Sequence, residues 1–293
     1  MDIRPTGATL AAIVHDVDVR TLSATAFAAL EAAWHEHGVL IFPAQHLDDE
    51  AQIAFSRRFG KLERLQTVAV EGANPEIFMA SNVDSAGRID PVGSSRYLHN
   101  KGNRIWHSDS SFKSNPAKAS LLRADAVPST GGETEFADMR AAYEALDEQR
   151  RCWLAAKVAV HSFRYSQGQV GGLDIMSEAE LDAIPPVEHP LVVTHPASGR
   201  KSLFIGRHAS HIVGEEVEEG RALLRALCTE ACRNERIYRH SWQVGDVVIW
   251  DNRCVLHRGL SYPVDEARIM CRTTVAGEQL DNKWVLDTSA GED

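Results

Sequence analysis

The chain has 293 residues, of which 44% are hydrophobic and 25% are charged. These values are typical of a globular protein and exclude a disordered chain, a collagen and a coiled coil. The formal net charge is −10, so the surface offers no general attraction to phosphate groups, and we expect no nucleic-acid partner. No apolar run approaches the roughly 18 residues that a membrane-spanning helix needs, so we expect no membrane partner either.

The first sixty residues carry two helix patterns around one strand. Ala26–His37 has apolar residues at helical spacing, with Thr25 as the expected N-cap and Gly38 as the expected stop. Val39–Phe42 is wholly apolar and predicts a buried strand. Asp48–Phe59 predicts the second helix, because acidic residues fill its first turn.

Helix signals recur in the second half of the chain. They are a short helix over Asp138–Leu146, a capping box at Ser177–Glu180 and an amphipathic stretch over Glu215–Cys232. Cys228 and Cys232 lie one helical turn apart, and we interpret them as packing residues. The five cysteines show no C-x-x-C spacing, which favours a reducing compartment and predicts a cytoplasmic protein.

Strand signals dominate between these helices and towards the C-terminus. Leu191–Thr194 and Ser202–Ile205 flank the turn Pro196–Gly199, which predicts a hairpin. Val247–Trp250 is apolar, and Arg268–Val275 alternates between two faces. Early helices and late strands predict a mixed α and β protein with a mainly β core, a sandwich or barrel with outer helices.

A histidine and an aspartate two residues apart form the sharpest local signal for a metal. In an extended segment, His107 and Asp109 project from the same face and can reach one ion. His257, just after a strand, is the simplest third ligand. Two histidines and one carboxylate form the facial triad of non-haem Fe(II) oxygenases. Such triplets also arise by chance, so a surface histidine beside a helix-capping aspartate remains an alternative.

The other histidines in strand-like or loop segments dilute this signal, because each can be a core histidine with a satisfied hydrogen bond. They are His161, His189, His195, His208, His211 and His240.

Two arginines on the alternating strand indicate an anion site. Arg268 and Arg272 lie on one face of that strand, roughly 13 Å apart at about 3.3 Å per residue. An inward guanidinium is unfavourable unless it meets an anion, and its planar fork suits a carboxylate. The alternative is an edge strand with both arginines in water, which the alternation alone slightly favours.

Three motifs, taken in order, resemble the taurine / 2,4-dichlorophenoxyacetate dioxygenase family. They are WHSDSSF at Trp106–Phe112, GGETEFADMR at Gly131–Arg140 and WDNRCVLHRG at Trp250–Gly259. The resemblance covers nearly the whole chain and is closest to the aryloxyalkanoate branch. It implies a double-stranded β-helix, or jelly roll, with outer helices, in a single domain over residues 1–293.

The resemblance also implies the roles of particular residues. His107, Asp109 and His257 match the ligands of Fe(II), and Arg268, eleven residues after His257, matches the arginine that pairs with the distal carboxylate of 2-oxoglutarate. Thr134 matches a threonine that hydrogen-bonds that carboxylate.

Two further residues match positions at the substrate end of the family's site. Asn103 matches a polar residue near cosubstrate and substrate. Arg272 matches an arginine near the substrate's acid group and the keto-acid end of the cosubstrate.

The implied activity uses Fe(II), 2-oxoglutarate and O₂ to hydroxylate a small anionic organic substrate, releasing succinate and CO₂. Halogenating relatives lack the carboxylate ligand, so Asp109 favours hydroxylation. An aryloxyalkanoate hydroxylated beside its ether oxygen would collapse to a phenol and a 2-oxo acid. The same chemistry on an alkylsulfonate, alkyl sulfate or other small acid, and a non-catalytic binding protein on the same fold, are the alternatives.

We expect the substrate loops within Leu65–Asn100 and Phe163–Ile175. Phe163, Tyr165 and Val170 are candidates for an apolar wall around an aromatic ring, although a loop that packs its own side chains is equally compatible with the pattern. We also expect a homo-oligomer.

Overall fold

The computed structural model describes residues 1–64, 74–84 and 86–278. Its α-helices are α1 Ala24–His37, α2 Asp49–Arg57, α3 Ser95–Gly102, α4 Met139–Glu144, α5 Glu148–Ala155, α6 Phe163–Gly168, α7 Glu178–Asp182 and α8 Val217–Ala231. Its strands are β1 Asp2–Pro5, β2 Ala12–His15, β3 Val39–Phe42, β4 Phe78–Ser81, β5 Ala119–Ala126, β6 Thr134–Asp138, β7 Val158–His161, β8 Val187–Pro190, β9 Val192–Thr194, β10 Lys201–Leu203, β11 Ala209–Ile212, β12 Ile237–His240, β13 Val247–Asp251, β14 Val255–Gly259 and β15 Ile269–Val275.

The ends of α1 follow from the side chains that cap them. Ser23, rather than the predicted Thr25, is the N-cap, because its hydroxyl accepts a hydrogen bond from the backbone N–H of Ala26. The helix therefore starts earlier than predicted, and Thr25 lies in its first turn. Gly38 ends the helix as predicted, with φ 71°, a conformation that glycine adopts without steric strain.

The other predicted elements are confirmed with small shifts at their ends. Asp48 caps α2, and the side chain of Asp138 caps α4. Ser177 and Glu180 form the predicted capping box at the start of α7. β9 and β10 pair as the predicted antiparallel hairpin. Cys228 on α8 is a free thiol that packs, partly buried, against the apolar side chains around it.

The main sheet has seven strands in the order β1-β2-β3-β13-β5-β15-β4. Antiparallel pairing places β5 between β13 and β15, so Ser120 of β5 lies opposite Trp250 of β13 and Thr274 of β15. A smaller antiparallel sheet, β12-β6-β14, faces it. Sheets β11-β7-β8 and β10-β9 complete the β structure of the described residues.

Two cores lie on opposite faces of the main sheet. The outer core packs the sheet against α1 and α2, and it includes Leu30, Trp34, Phe42, Phe55, Phe59, Val247, Ile249, Cys271 and Val275. The inner core joins the main sheet to the smaller sheet, and it includes Val39, Ile41, Leu122, Phe136, Val248, Trp250, Val255 and Met270. These layers confirm the predicted mixed protein with a β core and outer helices.

Strand alternation decides which polar side chains enter the space between the sheets. Val255 lies in the inner core, so His257, two residues further along β14, projects the same way. Met270 is likewise in the inner core, and Arg272 follows it at the same spacing. The register of β15 shifts between Ile269 and Met270, so Arg268 precedes the regular part of the strand rather than continuing its alternation.

No α-helix in the described part of the chain is long and apolar enough to cross a membrane.

Candidate metal centre and its surroundings

Two segments distant in sequence meet at one backbone bridge. His107 and His257 pair in antiparallel fashion, and each N–H donates to the other's carbonyl at 3.0 and 2.9 Å. Their rings lie 4.1 Å apart between centroids. The bridge therefore holds both imidazoles side by side, and Asp109 follows His107 at the spacing of an extended chain.

The structure brings His107, Asp109 and His257 together as a compact group of candidate ligands. Their candidate ligand atoms all lie within 4.8 Å of one another, and all three residues are buried. His257 Nε2 is 3.6 Å from Asp109 Oδ2, and His107 Nε2 is 3.9 Å from Asp109 Oδ1. Two imidazoles and one carboxylate suit a divalent first-row transition metal such as iron.

His107 is held in the tautomer that a metal requires, and both histidines are neutral. His107 Nδ1 lies 2.8 Å from the carbonyl oxygen of Ile105, which can only accept, so Nδ1 carries the proton and Nε2 keeps its lone pair. Burial, then the charge of His257, lower the pKa of His107 well below its usual range. Burial lowers the pKa of His257 to about 4. Both rings are therefore neutral near neutral pH, and the residues present fit an iron ion.

The Asp109 carboxylate is anchored through both oxygens. Arg272 Nη1 donates to Oδ1 at 2.6 Å, and Ser120 Oγ donates to Oδ2 at 2.7 Å. Burial would raise the pKa of Asp109, but the charge of the Arg272 guanidinium, with a smaller contribution from the Ser120 hydrogen bond, helps to hold that pKa below its usual range. The carboxylate is therefore ionised and fixed in orientation.

Asn252 connects the ligand strand to the main sheet, a role that the sequence motif did not reveal. Its Oδ1 accepts the backbone N–H of Asp109 at 3.1 Å and the indole N–H of Trp250 at 3.0 Å. Its Nδ2 donates to Ser120 Oγ at 3.0 Å. Since Ser120 Oγ accepts this bond, its hydrogen is directed to Asp109, so one network orients both the backbone and the carboxylate of that residue.

Ser120→Ala should weaken divalent-metal binding about 10-fold, because changes to the groups that orient metal ligands typically weaken affinity about 10- to 100-fold. Calorimetric titration of Mn(II) into the metal-free protein measures the effect. Ser202→Ala is the matched control, because Ser202 Oγ is buried without a hydrogen-bond partner in the structure and lies on β10. Equal affinity in the Ser120 variant and the control would contradict this role.

A second group of candidate ligands, His195, Asp251 and Cys254, is also buried and compact. Its carboxylate is already paired, since His195 Nε2 lies 2.9 Å from Asp251 Oδ2, and Arg253 donates to both oxygens at 2.8 and 2.6 Å. Burial raises the pKa of the Cys254 thiol, which disfavours the thiolate that binds metals. We interpret this group as an ion-pair network that fixes the turn that contains Asn252.

Arg268 lies half-buried beside the glycine pair of the second motif. Its Nε and Nη2 donate to the carbonyl oxygen of Gly132 at 3.2 and 3.1 Å. Its guanidinium carbon is 5.7 Å from the centre of the Tyr262 ring. Burial lowers the pKa of Arg268 to about 10, so it stays protonated at neutral pH. Among the described residues, no carboxylate forms an ion pair with it.

Thr134 and Asn103 lie on either side of β14. Thr134 is buried at the start of β6, opposite Gly259, and its hydroxyl accepts the indole N–H of Trp242 at 2.9 Å. Its own hydrogen therefore remains available for an acceptor. The carbonyl of Asn103 accepts the backbone N–H of Gly259 at 2.9 Å, which ties the segment before His107 to the strand that carries His257.

A cavity of about 660 Å³ opens beside Arg272. Phe78, Phe112 and Phe163 line it. The rings of Phe112 and Phe163 lie 4.9 Å apart, and the Arg272 guanidinium is 4.8 Å from the Phe78 ring centre. The cavity thus joins an aromatic wall to a cation next to Asp109.

The expected substrate loops are only partly as predicted. Phe163–Ile175 is mostly helical rather than a loop, because the Ser162 side chain caps α6 and a 3-10 helix follows. Phe163 lines the cavity, but Tyr165 lines a different one and Val170 is buried. In the other predicted loop, residues 65–73 and 85 lie outside the described residues, while β4 and α3 occupy much of the remainder.

Most of the other histidines are core residues with hydrogen bonds. His161, His189, His195 and His240 each have such a partner within 3.2 Å. His208 differs, because it is buried with its ring 6.5 Å from that of His107 and 4.9 Å from that of Phe112. His211 lies in the other cavity and contacts the Ser210 hydroxyl.

Comparison with known proteins identifies one family and relatives within it. Residues 2–274 match the family described as taurine catabolism dioxygenase TauD, TfdA family. The alpha-ketoglutarate-dependent 2,4-dichlorophenoxyacetate dioxygenase of Cupriavidus pinatubonensis is 44% identical over 269 residues, or 90% of this chain and 93% of that protein. The (S)-phenoxypropionate/alpha-ketoglutarate-dioxygenase of Sphingobium herbicidovorans is 41% identical over 282 residues, or 94% and 95% of the two chains.

Comparison with a solved structure supports the same family and fold. The crystal structure of AAD-2 in complex with Mn(II) and N-oxalylglycine has a TM-score of 0.87 and 40% identity, covering 94% of this chain and 98% of that one. This likeness confirms the predicted double-stranded β-helix.

Proposed function

Since the chain belongs to the TauD, TfdA family of dioxygenases, we propose that it is an aryloxyalkanoate dioxygenase, hydroxylating the carbon beside the ether oxygen of a small aryloxy acid. The family membership confirms the resemblance drawn from the three motifs, and it makes the enzyme a 2-oxoglutarate-dependent non-haem iron dioxygenase. The substrate is supported by the relatives that act on 2,4-dichlorophenoxyacetate and phenoxypropionate. The observation that carries the proposal is the aromatic cavity beside the buried triad.

Iron, 2-oxoglutarate and O₂ together supply the oxidation, in which 2-oxoglutarate becomes succinate and CO₂ and one oxygen atom enters the substrate. We propose that His107, Asp109 and His257 hold the iron, with neutral imidazoles and an ionised carboxylate. Their contribution would be a fixed, buried set of three protein ligands, which would leave other positions of the ion open.

Arg268 and Thr134 are proposed to bind the distal carboxylate of 2-oxoglutarate. Arg268 is a half-buried cation without an ion-pair partner in the described part of the chain, and Thr134 has a hydroxyl hydrogen to donate. Asn103 is proposed to contribute at the cosubstrate and substrate end, since its backbone is fixed next to Gly259. These residues orient the cosubstrate so that its keto-acid end faces the metal.

The substrate is proposed to lie in the cavity with its ring against Phe112 and Phe163 and its acid group near Arg272. Arg272 Nη1 is engaged by Asp109, while its Nε is buried without a partner in the structure and can donate. Hydroxylation beside the ether oxygen gives a hemiacetal. That product loses the phenol as the C–O bond breaks, leaving glyoxylate from an acetate or pyruvate from a propionate.

The direct test is a panel of acids assayed with Fe(II), 2-oxoglutarate and O₂. We expect aryloxyalkanoates to give equimolar phenol and succinate. Sulfite release from alkylsulfonates, with no phenol from aryloxy acids, would favour the alternative substrate class. Absence of substrate-dependent succinate with every acid would favour a non-catalytic binding protein.

Three expectations about the whole molecule remain predictions: a single domain over residues 1–293, a homo-oligomer and a cytoplasmic location. Analytical ultracentrifugation of the purified protein tests the oligomer.

Arg272→Gln should remove most of the preference for an acid over its neutral amide. Wild type is expected to favour phenoxyacetic acid over the amide about 10-fold or more in kcat/KM, because a hydrogen bond between charged groups contributes about 1.5–3 kcal/mol. The ratio of the two substrates within each protein is the measurement, so that any disturbance of Asp109 affects both equally. A wild type that turns over both equally well would show that Arg272 serves the cosubstrate alone.

A further inference from the structure

Trp242 is a core residue whose polar atom bonds a residue of the proposed cosubstrate site. It lies in the connection between β12 and β13 and packs in the inner core. Its indole N–H donates to Thr134 Oγ1 at 2.9 Å, and both residues are buried. Packing alone does not require such a bond in this protein, because the indole nitrogen of the buried Trp34 has no hydrogen-bond partner in the structure.

The orientation of the Trp242 ring is fixed by its neighbours. His240 lies opposite Thr134 in the pairing of β12 with β6, and its ring meets the Trp242 ring edge-on at 4.6 Å. His240 Nε2 is 3.2 Å from Asp246 Oδ2, which also accepts the backbone N–H of Gln243 at 3.0 Å. The segment that carries Trp242 is therefore tied down on both sides of the indole, and the N–H is held towards Thr134.

This hydrogen bond decides what the Thr134 hydroxyl can do. A hydroxyl has one hydrogen, which rotates to suit its partners. Since Oγ1 accepts the indole N–H, its own hydrogen is directed elsewhere, and it has no acceptor among the described residues. Gly132, two residues earlier on the same segment, accepts the Arg268 guanidinium. A hydroxyl hydrogen and a guanidinium thus lie on neighbouring parts of the site, and both are donors that suit a carboxylate.

Resting on the function proposed above, we propose that Trp242 is a positioning residue for 2-oxoglutarate. By donating to Thr134 Oγ1, the indole N–H leaves the hydroxyl hydrogen free to be donated to the distal carboxylate of the cosubstrate. Without the indole, the hydroxyl would also adopt orientations that present its lone pairs to that carboxylate, and these bind it less well.

The rival explanation is that Trp242 only fills the inner core. Such a role predicts that loss of the large ring lowers stability, and that a smaller ring has the same effect on affinity whether or not it carries an N–H. It also predicts no coupling between Trp242 and the Thr134 hydroxyl.

The test measures the Kd of 2-oxoglutarate by calorimetry on the Mn(II)-loaded protein without O₂, for wild type, Trp242→Phe and Trp242→His. Phenylalanine has a ring without an N–H, whereas histidine Nε2 lies two bonds from the carbon that attaches the ring, as the indole nitrogen does. We expect the Kd to rise about 3- to 10-fold in Trp242→Phe, the effect of losing one hydrogen bond. Trp242→His should bind with an affinity between those of wild type and Trp242→Phe.

Two controls test whether the effect is specific. The Kd of Mn(II) should change less than about twofold in both variants, since Trp242 contacts none of the candidate ligands. Trp34→Phe is the matched control, because it removes a buried indole N–H that has no partner, in the outer core. It should leave the Kd of 2-oxoglutarate unchanged.

A double-mutant cycle with Thr134→Val completes the experiment, since valine keeps the shape of threonine without its hydroxyl. In that background, Trp242→Phe should raise the Kd of 2-oxoglutarate less than about twofold further. An unchanged Kd in Trp242→Phe, equal losses in Trp242→Phe and Trp242→His, or a full additional loss in the Thr134→Val background would overturn the role of Trp242 alone. If Thr134→Val binds 2-oxoglutarate as wild type does, the proposed role of Thr134 is wrong, and this inference is wrong with it.

Discussion

Asp109→Ala should abolish substrate oxidation. The variant removes the only carboxylate of the triad and also leaves the Arg272 guanidinium without its partner at 2.6 Å. Mutations of residues that orient a metal ligand typically lower metal affinity or activity about 10- to 100-fold. The loss in kcat/KM on removing the ligand itself should be larger. The measurement is substrate-dependent succinate formation, together with titration of Mn(II).

Two controls make this result specific. Asp109→Asn keeps the shape of the side chain and removes the charge, so it should also lose metal affinity while preserving more of the packing. Asp147→Ala removes a carboxylate that caps α5 at the surface and should leave activity unchanged. Full activity of Asp109→Ala without added carboxylate would refute the assignment of the ligand.

Arg268→Ala should raise the KM for 2-oxoglutarate by orders of magnitude. Arg268 is half-buried, and its guanidinium has only the Gly132 carbonyl as a hydrogen-bond acceptor in the described structure, so the carboxylate proposed to bind there would lose its cation. The cost is about 2–5 kcal/mol, or roughly 30- to several-thousandfold. Initial rates at saturating substrate and varied 2-oxoglutarate measure it.

The same initial-rate measurements on Arg268→Lys separate the contribution of the positive charge from that of the guanidinium geometry. Lysine keeps the charge but not the planar fork, so we expect an intermediate KM. Arg239→Ala is the control, because Arg239 pairs with Glu135 and is more than half exposed. An unchanged requirement for 2-oxoglutarate in Arg268→Ala would refute the cosubstrate site.

The sequence predicts those parts of the molecule that local chemistry determines. Gly38 ends α1 and Ser177 opens α7, because each acts within one turn of its own helix. The spacing of His107 and Asp109 predicts a shared face, since alternation is a property of any extended segment. The prediction of Thr25 as the N-cap of α1 was wrong because Ser23 and Thr25 are both residues that cap helices well. Only the hydrogen bond from Ala26 to the Ser23 hydroxyl distinguishes them.

The side chains that orient the candidate ligands could not be predicted, because their positions depend on which strands become neighbours. Ser120 lies in an apolar run, and nothing near it in the sequence relates it to Asp109. It reaches that carboxylate because β5 inserts between β13 and β15. Sequence patterns indicated the candidate ligands of the metal, whereas the groups that orient them could be identified only from the fold.

The bridge between His107 and His257 links iron to the folding of the whole enzyme. The segment that carries Asp109 meets Asn252 across 143 residues of chain, so an unfolded chain cannot present the three ligands together. Iron held by these three candidate ligands would bind the native state in preference to the unfolded chain and would stabilise it by mass action, by about 1.4 kcal/mol for each tenfold excess of free metal over its Kd. The thermal midpoint of this protein is accordingly a property of its metal supply as well as of its packing, and a chelator acts on it as a mild denaturant.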